Sequence, residues 1–301
     1  MSFYKENKNE IMTMHLLSQI VGKIKLEYAA QEPQWAHVML DITSRGFSTG
    51  LIKLDDSYFE IQINLMDNAI EIKTEQDMKS IDLEDGKTIS QYYKEIVEPS
   101  KDLGLAISIQ TNPQEMEWKT PFEEDNQHHH YKEDTARKIL QWFQFAWDAL
   151  QEFIAPIRQR KVYPGLFWGT FDVATIVLYN QYEPFPDDSK IIERAAFDEH
   201  MVELGFWLGD DNFDYPTFFI LPYPFVDTDL KIDETFPEGS YFSPKMAEYL
   251  YEIKEDLDQV QSKQAIKFME ASLMKSMEFL KWEDTEYYFK VLKMEKNKER
   301  K

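Results

Sequence analysis

The sequence predicts an α+β fold: two sheet-bearing halves with mainly antiparallel strands, packed with long amphipathic helices. Two patterns carry that reading. In some stretches apolar and polar residues alternate with a period of two, and between them apolar residues recur at spacings of three and four. A third observation bounds it: 301 residues, 43% of them hydrophobic and 15% aromatic, supply a core large enough to fold without a metal or a disulfide.

The elements follow in chain order. From Thr13 to about Tyr28, Leu16, Leu17, Ile20, Val21 and Ile24 fall at helical spacing, with Thr13 placed to cap the first turn. After Pro33 the period changes to two. Val38, Leu40 and Ile42 alternate with His37, Met39, Asp41 and Thr43, Arg45-Gly46 turns the chain, and Phe59, Ile61, Ile63 and Leu65 alternate with Glu60, Gln62 and Asn64. Asp67-Asn68 then supplies a tight turn before Ile70 and Ile72, and with Ile81 and Leu83 this makes an antiparallel meander of four or five strands. Ile89, Tyr92, Tyr93, Ile96 and Val97 return to helical spacing, Gly104 ends that helix, and Leu105, Ile107 and Ile109 alternate as a further strand.

Residues 111–130 contain Pro and many acids without periodicity, and they read as the connection between halves. The strongest helix starts at Glu133, with Ile139, Phe143, Ala146, Leu150, Phe153 and Ile157 on one stripe. Acids at Glu133 and Asp134 and bases at Arg158, Arg160 and Lys161 suit its dipole. A second sheet is expected from Val162 to Leu178 and from His200 to Phe225. Ser243-Pro244 reads as the start of a helix through Val260, and Ser262 as the cap of another through Leu280. The charged tail after Met294 carries no structural demand. The division is thus 1–113, the first helix plus meander, and 114–301, the central helix, second sheet and C-terminal helices, forming one compact unit.

Charge and composition exclude several functions. With 33 basic and 55 acidic side chains the net charge is −22, so no nucleic-acid partner is expected. The absence of Cys removes thiol nucleophiles and iron–sulfur clusters. The opening MSFYKENKNE lacks a signal-peptide core and no apolar run reaches the roughly 18 residues of a membrane span. A cytoplasmic protein with no membrane partner is expected. The phosphate-loop, dinucleotide-binding, zincin and nucleophile-elbow patterns are all missing.

The scarce residue is histidine, at six positions: His15, His37, His128, His129, His130 and His200. Imidazole serves as acid, base or metal ligand, so convergence of three in one cleft would form a site. Adjacent rings at 128–130 alternate sides on an extended chain and read as an incidental metal binder. His15 shares a helix stripe with Gln19 and Lys23, which equally fits a solvated face. His37 and Asp41 share a strand face but lie about 13 Å apart along it. Trp168, Thr170 and Asp172 fall on one strand face and form either a ligand wall or an ordinary amphipathic strand. Glu124 offers a carboxylate ligand, and Trp207 the rim of a pocket or a core contact.

Six strings in order, HLLSQIVGKIKL from His15, WAHVMLDITSRGFSTGLI from Trp35, PFEEDNQHHHY from Pro121, FWGTFDVA from Phe167, EHMVELGFWLGDD from Glu199 and FFILPYPF from Phe218, resemble a bacterial family catalogued as domain of unknown function 5996. The resemblance runs from about residue 13 to 282. It implies no activity, but its histidine positions correspond to His15, His37, His128 and His200. The positions of Gln19, Lys23, Arg45, Tyr131, Trp168, Asp172 and Trp207 match as well.

Two functions follow as expectations. One is a small-molecule enzyme or metal-using protein with a histidine-lined cleft between the halves. In it His15, His37, His128 and His200 act as acid–base groups or, with Glu124, as ligands of a divalent metal. Asp172 supplies charge, Lys23 or Arg45 holds an anionic substrate, and Gln19, Trp168, Trp207 and Tyr131 complete the substrate site. The other is a non-catalytic module that binds a ligand or a protein in an aromatic groove. The sequence leaves the oligomeric state and any duplication of the halves open.

Overall fold

The computed structural model describes residues 2–226, 228 and 230–293, so the charged tail lies outside the described residues. Helix α1 spans Phe3–Tyr28 and is capped at Ser2, whose Oγ accepts from Lys5 N at 3.4 Å. Its start is ten residues earlier than the apolar spacing implied. The first turns are amphipathic only weakly, and Thr13 lies mid-helix with its hydroxyl donating to Asn9 O.

The first sheet has the order β1-β2-β4-β5-β6, with β3 also on β4. Its strands are β1 (Asp41–Ile42), β2 (Gly46–Ser48), β3 (Ile52–Leu54), β4 (Ser57–Asn64), β5 (Ala69–Thr74) and β6 (Met78–Asp82), all antiparallel to their neighbours. Ile61 pairs with Ile72 and Ile63 with Ile70, so the period-two residues share the buried face. Asn68 takes the left-handed conformation at the β4–β5 turn. Gly46 is required by close approach: a Cβ there would sit 1.8 Å from Ile63 O. The strand expected over Val38–Ile42 is mostly absent. Pro33–Val38 form a 3-10 turn interrupted by the positive-φ residues Gln34 and Trp35, and only Leu40, bridged to Leu166, and β1 remain extended.

Helix α2 (Ile89–Asp102) begins in a capping box between Thr88 and Gln91, and the chain leaves it through Gly104 at φ 77°. No strand follows. Leu105 and Ile107 are buried, yet this backbone crosses over α1 without a ladder partner. Helix α3 (Glu133–Ile154) runs behind the second sheet, and Lys161 Nζ donates to the carbonyls of Ile154, Ala155 and Ile157 at its end, as the charge pattern implied.

The second sheet is β11-β12-β10-β9-β8-β7, again antiparallel, from β7 (Lys161–Phe167), β8 (Asp172–Tyr182), β9 (Glu199–Trp207), β10 (Thr217–Tyr223), β11 (Tyr241–Ser243) and β12 (Glu248–Glu252). A short helix, α4 (Ile191–Ala196), sits in the β8–β9 connection, and α5 (Ser262–Phe279) packs beside α3. The helix expected from Ser243 is instead the β11–β12 hairpin, turned through Ala247 at φ 61°. Tyr249, Leu250 and Tyr251 favour a strand, and their partners on β10 override the helical spacing. Trp168, Thr170 and Asp172 do not share a strand face either, because Phe167–Asp172 closes the β7–β8 hairpin with Phe171 at φ 60°.

Phe206 and Phe218 face α3, where they meet Trp142 and Phe145. One buried cluster takes residues from α1, both sheets, α3 and α5. That fixes the opposite face of the second sheet: Ala174 and Ile176 of β8, Glu203, Gly205 and Trp207 of β9, Phe219 and Leu221 of β10 and Glu248 of β12 point away from α3. No helix of the described residues is long and apolar enough to cross a membrane.

Candidate functional site

That outward face is the floor of a cavity of about 600 Å³. Its walls come from the first turns of α1, the Gln34–Met39 turn, Glu115-Met116 of the long connection, and α4. Trp35, Phe167, Phe197, Trp207 and Phe219 give it an aromatic interior, with Trp207 and Phe219 ring centroids 5.5 Å apart. Strand register explains the floor. Glu203 stands opposite Ile176 on β8 and Leu221 on β10, and Glu248 is next to Tyr249, the partner of Ile220, which brings it to the same row two strands away. Asp172 stands opposite Trp207, at the other end of β9.

Six carboxylates line the cavity, from Glu115, Asp172, Glu193, Glu203, Asp210 and Glu248, against one lysine, Lys8, which is held by Asp211 at 2.6 Å. No lysine or arginine among the described residues pairs with Glu115, Asp172, Glu203 or Glu248. Burial and mutual repulsion therefore hold these acids toward the protonated form. Asp172, 4% exposed, is pushed up to about 7 by burial and by Glu115, against the hydroxyl of Thr170 donating to its Oδ1. Glu248 is pushed up to about 7 by burial and by Asp172. Glu115 reaches about 7 through burial and Glu193. Glu203 lies well above the usual range through burial and the fields of Asp172, Glu248 and Glu115. Such a site holds protons near neutrality and attracts cations.

Of the residues proposed from sequence, His15, Asp172 and Trp207 line this cavity. His15 Nε2–H donates to the carbonyls of Trp168 and Gly169 at 3.0 and 2.9 Å, and its ring stacks on Phe171 at 5.2 Å. Burial lowers its pKa to about 4, so it is a neutral latch on the β7–β8 turn. The stripe it heads is not solvated. Gln19 clasps the main chain of Gln114, accepting from N and donating to O at 2.8 Å each, and Lys23 Nζ donates to Gln110 Oε1 at 2.8 Å. Both hold the connection onto α1, and Lys23 does not line the cavity. Trp168 is buried, its Nε1 donating to Val38 O at 2.9 Å.

The histidines do not converge. His37 lies on the 3-10 turn with Nδ1 accepting from Glu32 N at 3.1 Å. His128 Nδ1 pairs with Asp125 at 2.8 Å and its ring meets Trp118 edge-on. His200 points to the α3 side of β9, 3.0 Å from the Gln181 amide and 3.6 Å from Glu183. Glu124 is exposed, Arg45 pairs with Asp67 at the surface, and the Tyr131 hydroxyl donates to Asn68 Oδ1 at 2.8 Å. Among the described residues no three His, Asp or Glu side chains are disposed to hold a metal ion. Each ring instead satisfies a local polar group, because the elements carrying them face different layers.

Sequence reasoning missed Glu115, Glu193, Glu203 and Glu248. Glu203 did leave a trace, since it shares its strand face with Gly205 and Trp207 and is a lone charge between apolar neighbours. The others sit in segments whose placement local patterns do not encode.

No curated protein and no solved structure matches the chain. The model of the family described as family of unknown function DUF5996 matches residues 2–288, nearly the whole of the 301. The chain therefore belongs to that family.

Proposed function

We propose that the cavity on the outer face of the second sheet binds a small organic cation with an apolar body. The observation that carries this reading is the imbalance within one cavity: six carboxylates, a single lysine already paired, and a mainly apolar wall that includes several aromatic rings. A carboxylate with no basic partner in a partly dry site is costly, and a bound ammonium or amidinium would offset that cost. Trp207 and Phe219 would add cation–π attraction. An anionic substrate, which Lys23 or Arg45 was expected to hold, finds no free cation there.

A second reading rests on the protonation of these acids. Carboxyls poised near neutral pH can act as general acid and base, so the same cavity would suit proton transfer on the bound ligand, with Asp172 and Glu115, each pushed up to about 7, as the exchanging pair. In this enzyme form His15 remains a neutral positioning group.

Calorimetric titration with hexylamine and with hexanoate tests the binding claim. The amine should bind and the carboxylate should not, and Glu203→Gln should weaken the amine about tenfold. Equal binding of both, or tighter binding of hexanoate, would overturn the proposal. Proton release on amine binding, read from titrations in buffers of different ionisation enthalpy and reduced in Asp172→Asn, would favour the proton-transfer form.

A further inference from the structure

Glu203, Gly205 and Trp207 follow one another along the outer face of β9, with neighbours about 7 Å apart. Gly205 supplies no side chain, and its place is taken from the next strand. Phe219, its partner on β10, leans across it: a Cβ at Gly205 would run into Cε1 and Cζ of that ring. The phenyl ring therefore lies along the floor, over the β9 backbone. On the other side of Gly205 the partner is Ala174 of β8, whose methyl group leaves the space beside the ring open. Trp207 stands as a wall at one edge, its ring centroid 5.5 Å from that of Phe219 and its plane tilted by 52°. Phe213 braces this wall edge-on from behind at 5.3 Å. Along β9 the order is thus a carboxylate, a phenyl floor and an indole wall.

The carboxylate in that row is the one left without a donor. Ile176 and Leu221 flank Glu203 on the neighbouring strands, and its side chain has no hydrogen-bond or ion-pair partner among the described residues. Asp172, by contrast, accepts from the Thr170 hydroxyl, Asp210 from the main-chain N–H groups of Asn212 and Phe213, and Glu193 pairs with Lys190. Glu248 also lacks a donor, but it belongs to β12, the side from which the Phe219 ring leans away. An ammonium seated beside Phe219 therefore meets Glu203 first.

We infer that the ligand is an arylalkylamine whose flat ring lies on Phe219 against the wall of Trp207 and whose ammonium, a short link away, is received by Glu203. The inference rests on the proposed cation site and names the apolar body that the site selects. The spacing sets the link. Glu203 and Gly205 are about 7 Å apart along the strand, and an ammonium about 3 Å from the carboxylate leaves about 4 Å to the centre of the ring, the reach of one or two carbons. A flat ring stacks offset on Phe219 and meets the tilted indole at its edge, the two arrangements that aromatic quadrupoles favour. A saturated ring of the same size is thicker and gains neither.

Calorimetric titration of 2-phenylethylamine against 2-cyclohexylethylamine tests this, because the two share the ammonium, the link and the number of heavy atoms. Burial alone favours the saturated ring, the more hydrophobic of the pair, so a preference for phenyl reports stacking. The wild type should bind the phenyl compound about fivefold tighter, and Phe219→Leu should abolish that preference. Glu203→Gln should weaken both compounds about tenfold. Equal binding by the wild type, or tighter binding of the cyclohexyl compound, would overturn the aromatic floor, and the cation cavity would stand if hexylamine still binds. A phenyl preference that survives in a cooperatively melting Phe219→Leu would overturn the role of Phe219; should that variant not fold, the wild-type comparison decides. A loss in Asp172→Asn with none in Glu203→Gln would overturn the seat at Glu203. Failure of hexylamine and both ring amines to bind would remove the cation cavity and this inference together.

Discussion

Replacing Asp172 with Asn should stabilise the protein at pH 8. The variant keeps an oxygen for the Thr170 hydroxyl and nearly the same volume, so it changes the ability to ionise and little else. The sign follows from proton linkage. Unfolded, Asp172 titrates near the ordinary aspartate value of about 3.9, whereas burial and neighbouring acids raise it to about 7 in the fold. Between those values the folded state binds more protons than the unfolded one, so stability falls as pH rises through that window and is constant above it. At about 1.4 kcal/mol for each tenfold change in proton activity, ionising Asp172 costs the fold at most about 4 kcal/mol, and water in the cavity reduces this to about 2–4 kcal/mol. Urea denaturation of both proteins between pH 4 and pH 8 measures the difference. The variant should exceed the wild type by that amount at pH 8 and converge on it near pH 4. A gap independent of pH, or a variant less stable at pH 8, would refute the reasoning.

Two further outcomes follow from α1. Gly22→Ala should lower the urea midpoint by a net loss of about 1–3 kcal/mol, although alanine in a helix interior ordinarily gains up to about 1 kcal/mol over glycine; the new Cβ would fall 2.0 Å from the indole of Trp168, which its bond to Val38 O holds in place, and a neutral or stabilised variant would contradict this packing. The His15 ring should titrate near 4 by nuclear magnetic resonance, because burial opposes its charged form. Its folded pKa lies below the unfolded value of about 6.5, so the stability it confers is full above that value and is lost as pH falls toward 4.

The parts of the fold that were legible in the sequence are those fixed by neighbours in the chain. The β4–β5 hairpin was readable because Ile61, Ile63, Ile70 and Ile72 alternate around an Asp-Asn turn, and α3 because its stripe and its terminal charges agree. Where two local patterns compete, the outcome belongs to distant partners. Residues 246–252 have helical spacing, yet Leu250 and Tyr249 find Phe219 and Ile220 on β10 and become a strand.

The site divides the same way. Sequence alone determined that the chain is acidic, lacks thiol chemistry, combines helices with antiparallel strands, and places His15, Gln19 and Lys23 on one helical edge. Only tertiary structure decided that this edge is buried, because Gln110, Gln114 and the carbonyls of Trp168 and Gly169 arrive from other segments to satisfy it. It also decided that Glu115, Asp172, Glu203 and Glu248 would share a cavity and the histidines would not. Periodicity records which face of an element avoids water, whereas strand order and loop paths set which of those faces meet, and charges separated by a hundred residues act on one another only after that assembly.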